Sequence, residues 1–174
     1  MILVLLGTQN NSFHRLLEEV EKNIENGNIK EKVIVQAGFT KFESKNMEIF
    51  DMVPQDKIDK LMDEADLIIT HGGVGSMVAA IRKGKKVIAV PRLKKYGEHV
   101  NDHQIEIIET FKKQGVIVGI REVEELEKAL KLVQDLKTQK KEVEGNEIVK
   151  IIDDFIQDDV HKRLKKRKKF LKEW

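Results

Sequence analysis

Cysteine is absent from the 174 residues, which excludes disulfide scaffolds, thiolate zinc sites and cysteine nucleophiles. That absence is compatible with a cytosolic compartment. No apolar run approaches the roughly 20 residues that a membrane-spanning helix needs. The opening Met1-Ile2-Leu3-Val4-Leu5-Leu6 is short and carries no basic leader, so it reads as a buried strand rather than a signal peptide. There is no internal repeat, and the basic end of the chain is the one biased tract. What is present suits a single compact domain: 40% of residues are hydrophobic and 36% are charged. The charged share exceeds the roughly 25% of an average domain, and most of it must sit in solvent because unpaired charge is costly to bury.

The formal net charge of +2 hides an asymmetry. Residues 160–174 hold eight Lys or Arg against Glu173 alone, a net of +7, so the other 159 residues net −5. The chain is a mildly acidic domain with a strongly basic C-terminal tail.

Aliphatic runs alternate with helical periodicities from the first residue. Strands are expected at residues 2–6, 32–37, 47–53 (a weaker candidate), 66–70, 86–90 and 116–118. Between them, Phe13, Leu16, Leu17, Val20 and Ile24 recur at helical spacing, after an Asn10-Asn11-Ser12 cluster suited to capping. Further helices are expected after Pro54, through Met77–Ile81, from about His99 to Lys113, and across Val123–Leu136. Continuous aliphatic strands separated by helices indicate an α/β fold, a Rossmann-like parallel sheet covered on both faces. The expected organisation is an α/β domain over 1–137, a linker and amphipathic helix over 138–159, and the basic tail over 160–174.

Ligands in such sheets bind beyond the carboxyl ends of the strands. Three of those ends are chemically unusual: Gly7-Thr8-Gln9, the turn His71-Gly72-Gly73-Val74-Gly75-Ser76, and Pro91 onward to Gln104. The glycine turn passes straight from strand to helix, so a ligand can approach backbone N–H groups at a helix N-terminus, which favours phosphate. A tight turn capped by Ser76 is the plainer reading. Named alternatives fail on the letters. Gly73-Val74-Gly75 lacks the third glycine of a dinucleotide fingerprint, and no phosphate-loop motif occurs. His71-Gly72-Gly73 has the look of an oxyanion-hole loop, but no nucleophile elbow accompanies it, which excludes a serine hydrolase. His99 and His103 have the i,i+4 spacing of a metal pair, yet no zincin glutamate stands between them and no third ligand is evident; no metal site is expected. The segment Gly97-Glu98-His99-Val100-Asn101-Asp102-His103-Gln104 is instead dense in groups that grip sugar hydroxyls or phosphate.

Together, Gly7-Thr8, His71-Gly72-Gly73-Val74-Gly75-Ser76, Pro91-Arg92 and Tyr96-Gly97-Glu98-His99-Val100-Asn101-Asp102-His103-Gln104 resemble the family-28 glycosyltransferase C-terminal domain, over about residues 1–135. The likeness is greatest to its small stand-alone donor-binding subunits, of eukaryotic dolichol-linked N-acetylglucosaminyl transfer and of bacterial exopolysaccharide or capsule synthesis. The resemblance implies one half of a GT-B enzyme, with a separate membrane-anchored subunit binding a lipid-linked acceptor. It implies inverting, metal-free transfer of a sugar (GlcNAc, galactose or glucose) from a UDP donor, which is substrate rather than cofactor. Carried over by position, Gly72, Gly73, Gly75 and Ser76 would meet the diphosphate, with Asn101, Asp102, His103 and Gln104 at the sugar or phosphate; Gly7, His71 and Glu98 are further donor-binding candidates. Thr8 would lie near the leaving group. Arg92 would add charge there, or is a solvated loop arginine.

Two positions depart from the relatives. Ala79 stands where many carry a glutamate for the ribose hydroxyls, and His14 stands where an acid often follows the phenylalanine of the first helix. His14 is chemically apt as a general base, but its place at a helix start suits a surface histidine better, and the partner can supply the base. The tail His161–Trp174 reads as a basic amphipathic segment for the partner or an anionic bilayer. Nucleic acid is disfavoured, because no aromatic platform accompanies the charge and the main domain is acidic. The expected place is the cytoplasm, peripheral at the inner membrane face. A non-catalytic nucleotide-sugar-binding regulatory module is the alternative.

Overall fold

The computed structural model describes residues 1–136. The chain divides into two units, Met1–Lys140 and Lys141–Trp174, and the described residues all belong to the first. The expected linker, amphipathic helix and basic tail lie outside them.

Six strands form one parallel sheet: β1 (Ile2–Leu5), β2 (Val33–Gln36), β3 (Met47–Phe50), β4 (Leu67–His71), β5 (Lys86–Val90) and the two-residue β6 (Val118–Gly119). Their order is β3-β2-β1-β4-β5-β6, so the order in which strands are added reverses between β1 and β4. In register, Ile2 of β1 pairs with Val33 on one side and Leu67 on the other. Among the described residues, five α-helices connect or cover the strands: α1 (His14–Glu25), α2 (Gln55–Glu64), α3 (Val74–Arg82), α4 (His103–Lys113) and α5 (Leu126–Leu132). None of the described helices is long and apolar enough to cross a membrane.

Alternation along the strands divides their side chains between two layers. Ile2, Val4, Val33, Val35, Leu67, Ile69, Ile88 and Val90 pack with Leu16, Leu17 and Val20 of α1 and with Leu126, Ala129 and Leu130 of α5. Leu3, Leu5, Ile68, Val87 and Ala89, buried on the opposite face, leave α2, α3 and α4 to cover it with Met62, Met77, Val78, Ile107 and Phe111. Strands buried on both sides explain why their sequence is aliphatic without a break.

Three local expectations are corrected. The Asn10-Asn11-Ser12 cluster does not cap α1; the helix starts at His14, and the N–H of Phe13 donates to Thr40 Oγ1 from the far side of β2. Ser76 does not cap α3, which begins two residues earlier at Val74. The fourth helix starts at His103 rather than His99, because Gly97 turns the chain at φ +71° and the Asn101 side chain accepts the His103 N–H at 3.1 Å. His99 therefore precedes the helix, and the two imidazoles do not share a helix face.

Candidate functional site

Where strand order reverses, the loops leaving β1 and β4 diverge and open a crevice, the usual ligand position in such sheets. A cavity of about 370 Å³ occupies it. Its lining combines Gly7, Thr8, Gly75 and Ser76 with the apolar Leu5, Met52, Val53, Ile58, Met62 and Ala79 and with Gln36 and Gln55. No charged side chain lines it, in a chain that is 36% charged. A larger hollow of about 430 Å³ lies at the opposite ends of the strands, lined by Met1, Asp66, Lys85 and Lys86 among others. It receives neither the glycine turn nor a helix N-terminus.

The glycines of the turn have different tasks. A Cβ at Gly72 would lie 2.6 Å from Gln104 Cβ, and one at Gly73 would lie 2.3 Å from His71 Nε2, so both are demanded by packing. A Cβ at Gly75 would meet nothing within 4 Å; this glycine keeps the cavity open. The amides of Val74, Gly75 and Ser76 form the first turn of α3, where no preceding helical carbonyl accepts them. They supply donors and the positive end of the helix dipole to the cavity wall.

His71 ends β4 and is wedged against the β1 loop, since a Cβ at Gly7 would fall 2.5 Å from its ring. Its Nδ1 lies 3.4 Å from the Leu5 carbonyl, which can only accept, so Nδ1 carries the proton and Nε2 is the acceptor. Burial, reinforced by the charge of Arg92, pushes its pKa down to about 4. His71 is thus held neutral beside the glycine turn, outside the residues that line the cavity. A histidine held neutral when folded binds a proton only when unfolded between pH 4 and 6.5, so stability rises with pH through that window and is complete above it. Between pH 7 and 4.5 the protein is expected to lose about 2 kcal/mol more than His71→Gln in urea unfolding; equal losses would refute the buried neutral imidazole.

The loop between β5 and α4 holds the other candidates. Gln104 is buried, and its Oε1 accepts both the Gly72 N–H at 3.0 Å and the Arg92 N–H at 2.9 Å, pinning the glycine turn to this loop. Asp102 accepts the Lys94 N–H, and His99 Nδ1 accepts the Asn101 N–H. Asn101, Asp102 and His103 stand at the N-terminus of α4 without lining the cavity. Arg92 is no solvated loop arginine: it is wholly buried, and its guanidinium donates to the carbonyls of Leu6, Asn11 and Glu98. Glu98 is buried too, paired with Arg15 at 2.8 Å and accepting the Leu93 N–H. His14 is exposed on α1 with Nδ1 3.4 Å from Glu18 and its ring 5.0 Å from Phe42; it does not line the cavity. Gln36, Met52, Val53 and Gln55 were not foreseen as site residues. Only the pairing of β2 and β3 beside β1 brings them there.

A parallel sheet with helices on both faces and a crevice at its reversal point defines a Rossmann-like α/β half-domain. A model of the glycosyltransferase family 28 C-terminal domain matches residues 1–158, and the chain belongs to that family. Two curated relatives carry one name, UDP-N-acetylglucosamine transferase subunit ALG13. The Mus musculus protein is 33% identical over 61 residues, 35% of this chain and 5% of that protein. The Candida albicans protein is 29% identical over 90 residues, 51% of this chain and 29% of that protein. The matches thus span less than a third of either relative. Among solved structures, the glycotransferase of kitacinnamycin superposes with a TM-score of 0.58 at 20% identity, over 77% of this chain and 34% of that one. The solution structure of ALG13 gives 0.52 at 16% identity, over 80% and 88% respectively. These likenesses establish the fold, a single GT-B-type half.

Proposed function

We propose that this chain is the donor-binding, catalytic subunit of a two-component glycosyltransferase. It would move GlcNAc, galactose or glucose from a UDP donor to a lipid-linked saccharide in surface-polysaccharide synthesis. The observation that carries this reading is the crevice itself: Thr8, Ser76 and the first turn of α3 share it with apolar side chains at the sheet's reversal point. The hydroxyls and the helix start suit a diphosphate, and the apolar lining suits a nucleoside.

In this mechanism the α3 N-terminus takes up the charge that develops on the departing UDP, fixed dipoles being effective where water is excluded. Gly7 gives the ligand close access to backbone, while Gly73 and His71 pack against each other. Asn101, Asp102 and His103 reach the sugar from the β5–α4 loop. Transfer is inverting and needs no metal. The general base comes from across the cleft, from a membrane-anchored partner that also holds the acceptor, since His14 faces Glu18 and Phe42. The subunit works at the inner face of the membrane, where residues 160–174 meet the partner or anionic lipid.

A non-catalytic nucleotide-sugar-binding module is the second reading. It is favoured by Ala79, which leaves the cavity without a carboxylate for the ribose hydroxyls. Calorimetric titration with UDP, UDP-GlcNAc, UDP-galactose and ADP tests the site, and transfer assays with and without an acceptor-binding partner separate the readings. UDP is expected to bind at least tenfold more tightly than ADP, with transfer appearing only alongside the partner. Equal binding of ADP would sink the donor assignment, and UDP-sugar binding without transfer in any pairing would leave the module.

A further inference from the structure

Arg92 is the largest wholly buried side chain among the described residues, and its bonds have an unusual distribution. Each of its three carbonyl partners lies in a loop or at a strand end: NH2 donates to Leu6 at 2.8 Å, and NH1 donates to Asn11 at 2.7 Å and to Glu98 at 3.3 Å. The guanidinium also lies over the Phe13 ring, 5.0 Å from its centre. Beside it, Asn11 Nδ2 donates to the Gly97 carbonyl at 2.7 Å, and Arg15 closes a two-point ion pair on Glu98. Apart from the bond to Glu98, which lies within the second segment, each of these contacts joins the segment 6–15 to the segment 91–98. These are the loop that carries Gly7 and Thr8 into the cavity and the loop that leads to Asn101–His103.

We propose that Arg92 is a positioning residue: its guanidinium straps the β1–α1 loop to the β5–α4 loop and so sets the donor crevice, without touching the donor. The inference rests on the donor-binding reading above. Its physical basis is that loop carbonyls at a surface can turn to water, whereas these three are held inward by one buried cation. Burial lowers the Arg92 pKa to about 10, with Glu98 opposing, so the strap stays charged at neutral pH. Nε remains buried without a partner. Removing the guanidinium leaves the carbonyls of Leu6, Asn11 and Glu98 without that donor, which costs stability, so a second variant that keeps Arg92 separates position from folding.

The test uses the full chain carrying Arg92→Met, with Asn11→Ala as a second, surface variant that removes only the bond to Gly97. Amide exchange is followed across residues 7–12 and 97–102, and UDP affinity is measured by calorimetry. For Arg92→Met, exchange in both loops is expected to accelerate at least tenfold and UDP affinity to fall at least tenfold. Asn11→Ala should move both about threefold, and it decides the matter if Arg92→Met fails to fold. A fall in affinity with loop exchange unchanged would show that Arg92 touches the nucleotide, and faster exchange with unchanged affinity would show that the strap does not set the site. Either result overturns the proposal. If the unaltered chain does not bind UDP, the donor reading fails instead, and the exchange comparison alone still upholds or refutes the strap.

Discussion

Gly75→Asp is expected to weaken UDP binding by about a hundredfold, roughly 2.7 kcal/mol, while leaving the domain folded. The two halves of this prediction have separate causes. A Cβ at Gly75 enters open space, and the residue lies in the first turn of α3, where a carboxylate is favoured by the helix dipole. The melting temperature should therefore hold or rise by about 2 °C. The same carboxylate projects into an uncharged cavity, where like charge beside a diphosphate costs several kcal/mol. Calorimetry and thermal melting on one preparation check both halves. Unchanged UDP affinity would place the nucleotide elsewhere, and loss of folding would contradict the open space at this position.

Glu98→Ala is expected to have the largest effect on stability, a loss of about 3–5 kcal/mol, or about 10 °C in melting temperature for a domain of this size. Glu98 is 3% exposed; one carboxylate oxygen meets Arg15 Nε, and the other meets Arg15 NH2 and the Leu93 N–H. Its removal strips the mostly enclosed Arg15 guanidinium of its two-point carboxylate partner, leaving the Pro91 carbonyl at 3.2 Å and a 3.5 Å approach to Glu122. The double replacement Arg15→Met, Glu98→Met should recover most of the loss, because no unpaired charge is then left inside. Urea unfolding of the two variants checks this. A single-variant loss below about 1 kcal/mol would mean that the pair behaves as an ordinary exposed one.

Much of this molecule is legible in its letters because the controlling signals are local. The β5 run Lys86–Val90 forms as expected, and β1, β2 and β4 lie within a residue of their aliphatic runs. Burial on both faces leaves no room for alternation there. The fifth helix breaks the expected pattern in a small way: Val123 and Val133 fall in tight turns flanking Leu126–Leu132. The weak strand expected over 47–53 stops at Phe50, and that matters more, because Met52, Val53 and Gln55 are then free to line the crevice.

The sequence by itself determined the α/β class, the glycine turn at His71–Ser76 and the place where function was to be sought, since periodicity and a strand-to-helix turn are written in neighbouring residues. Only the tertiary structure decided what the individual polar residues do. Thr40, 27 residues away, caps the start of α1; Gln104 serves the backbone of Gly72 and Arg92; Arg92 and Glu98 hold loops together. A polar side chain takes its role from whichever unpaired backbone or charged group the fold brings within hydrogen-bond reach. That meeting depends on strand order, with segments 80 or more residues apart lying side by side, and spacing along the chain carries no record of it.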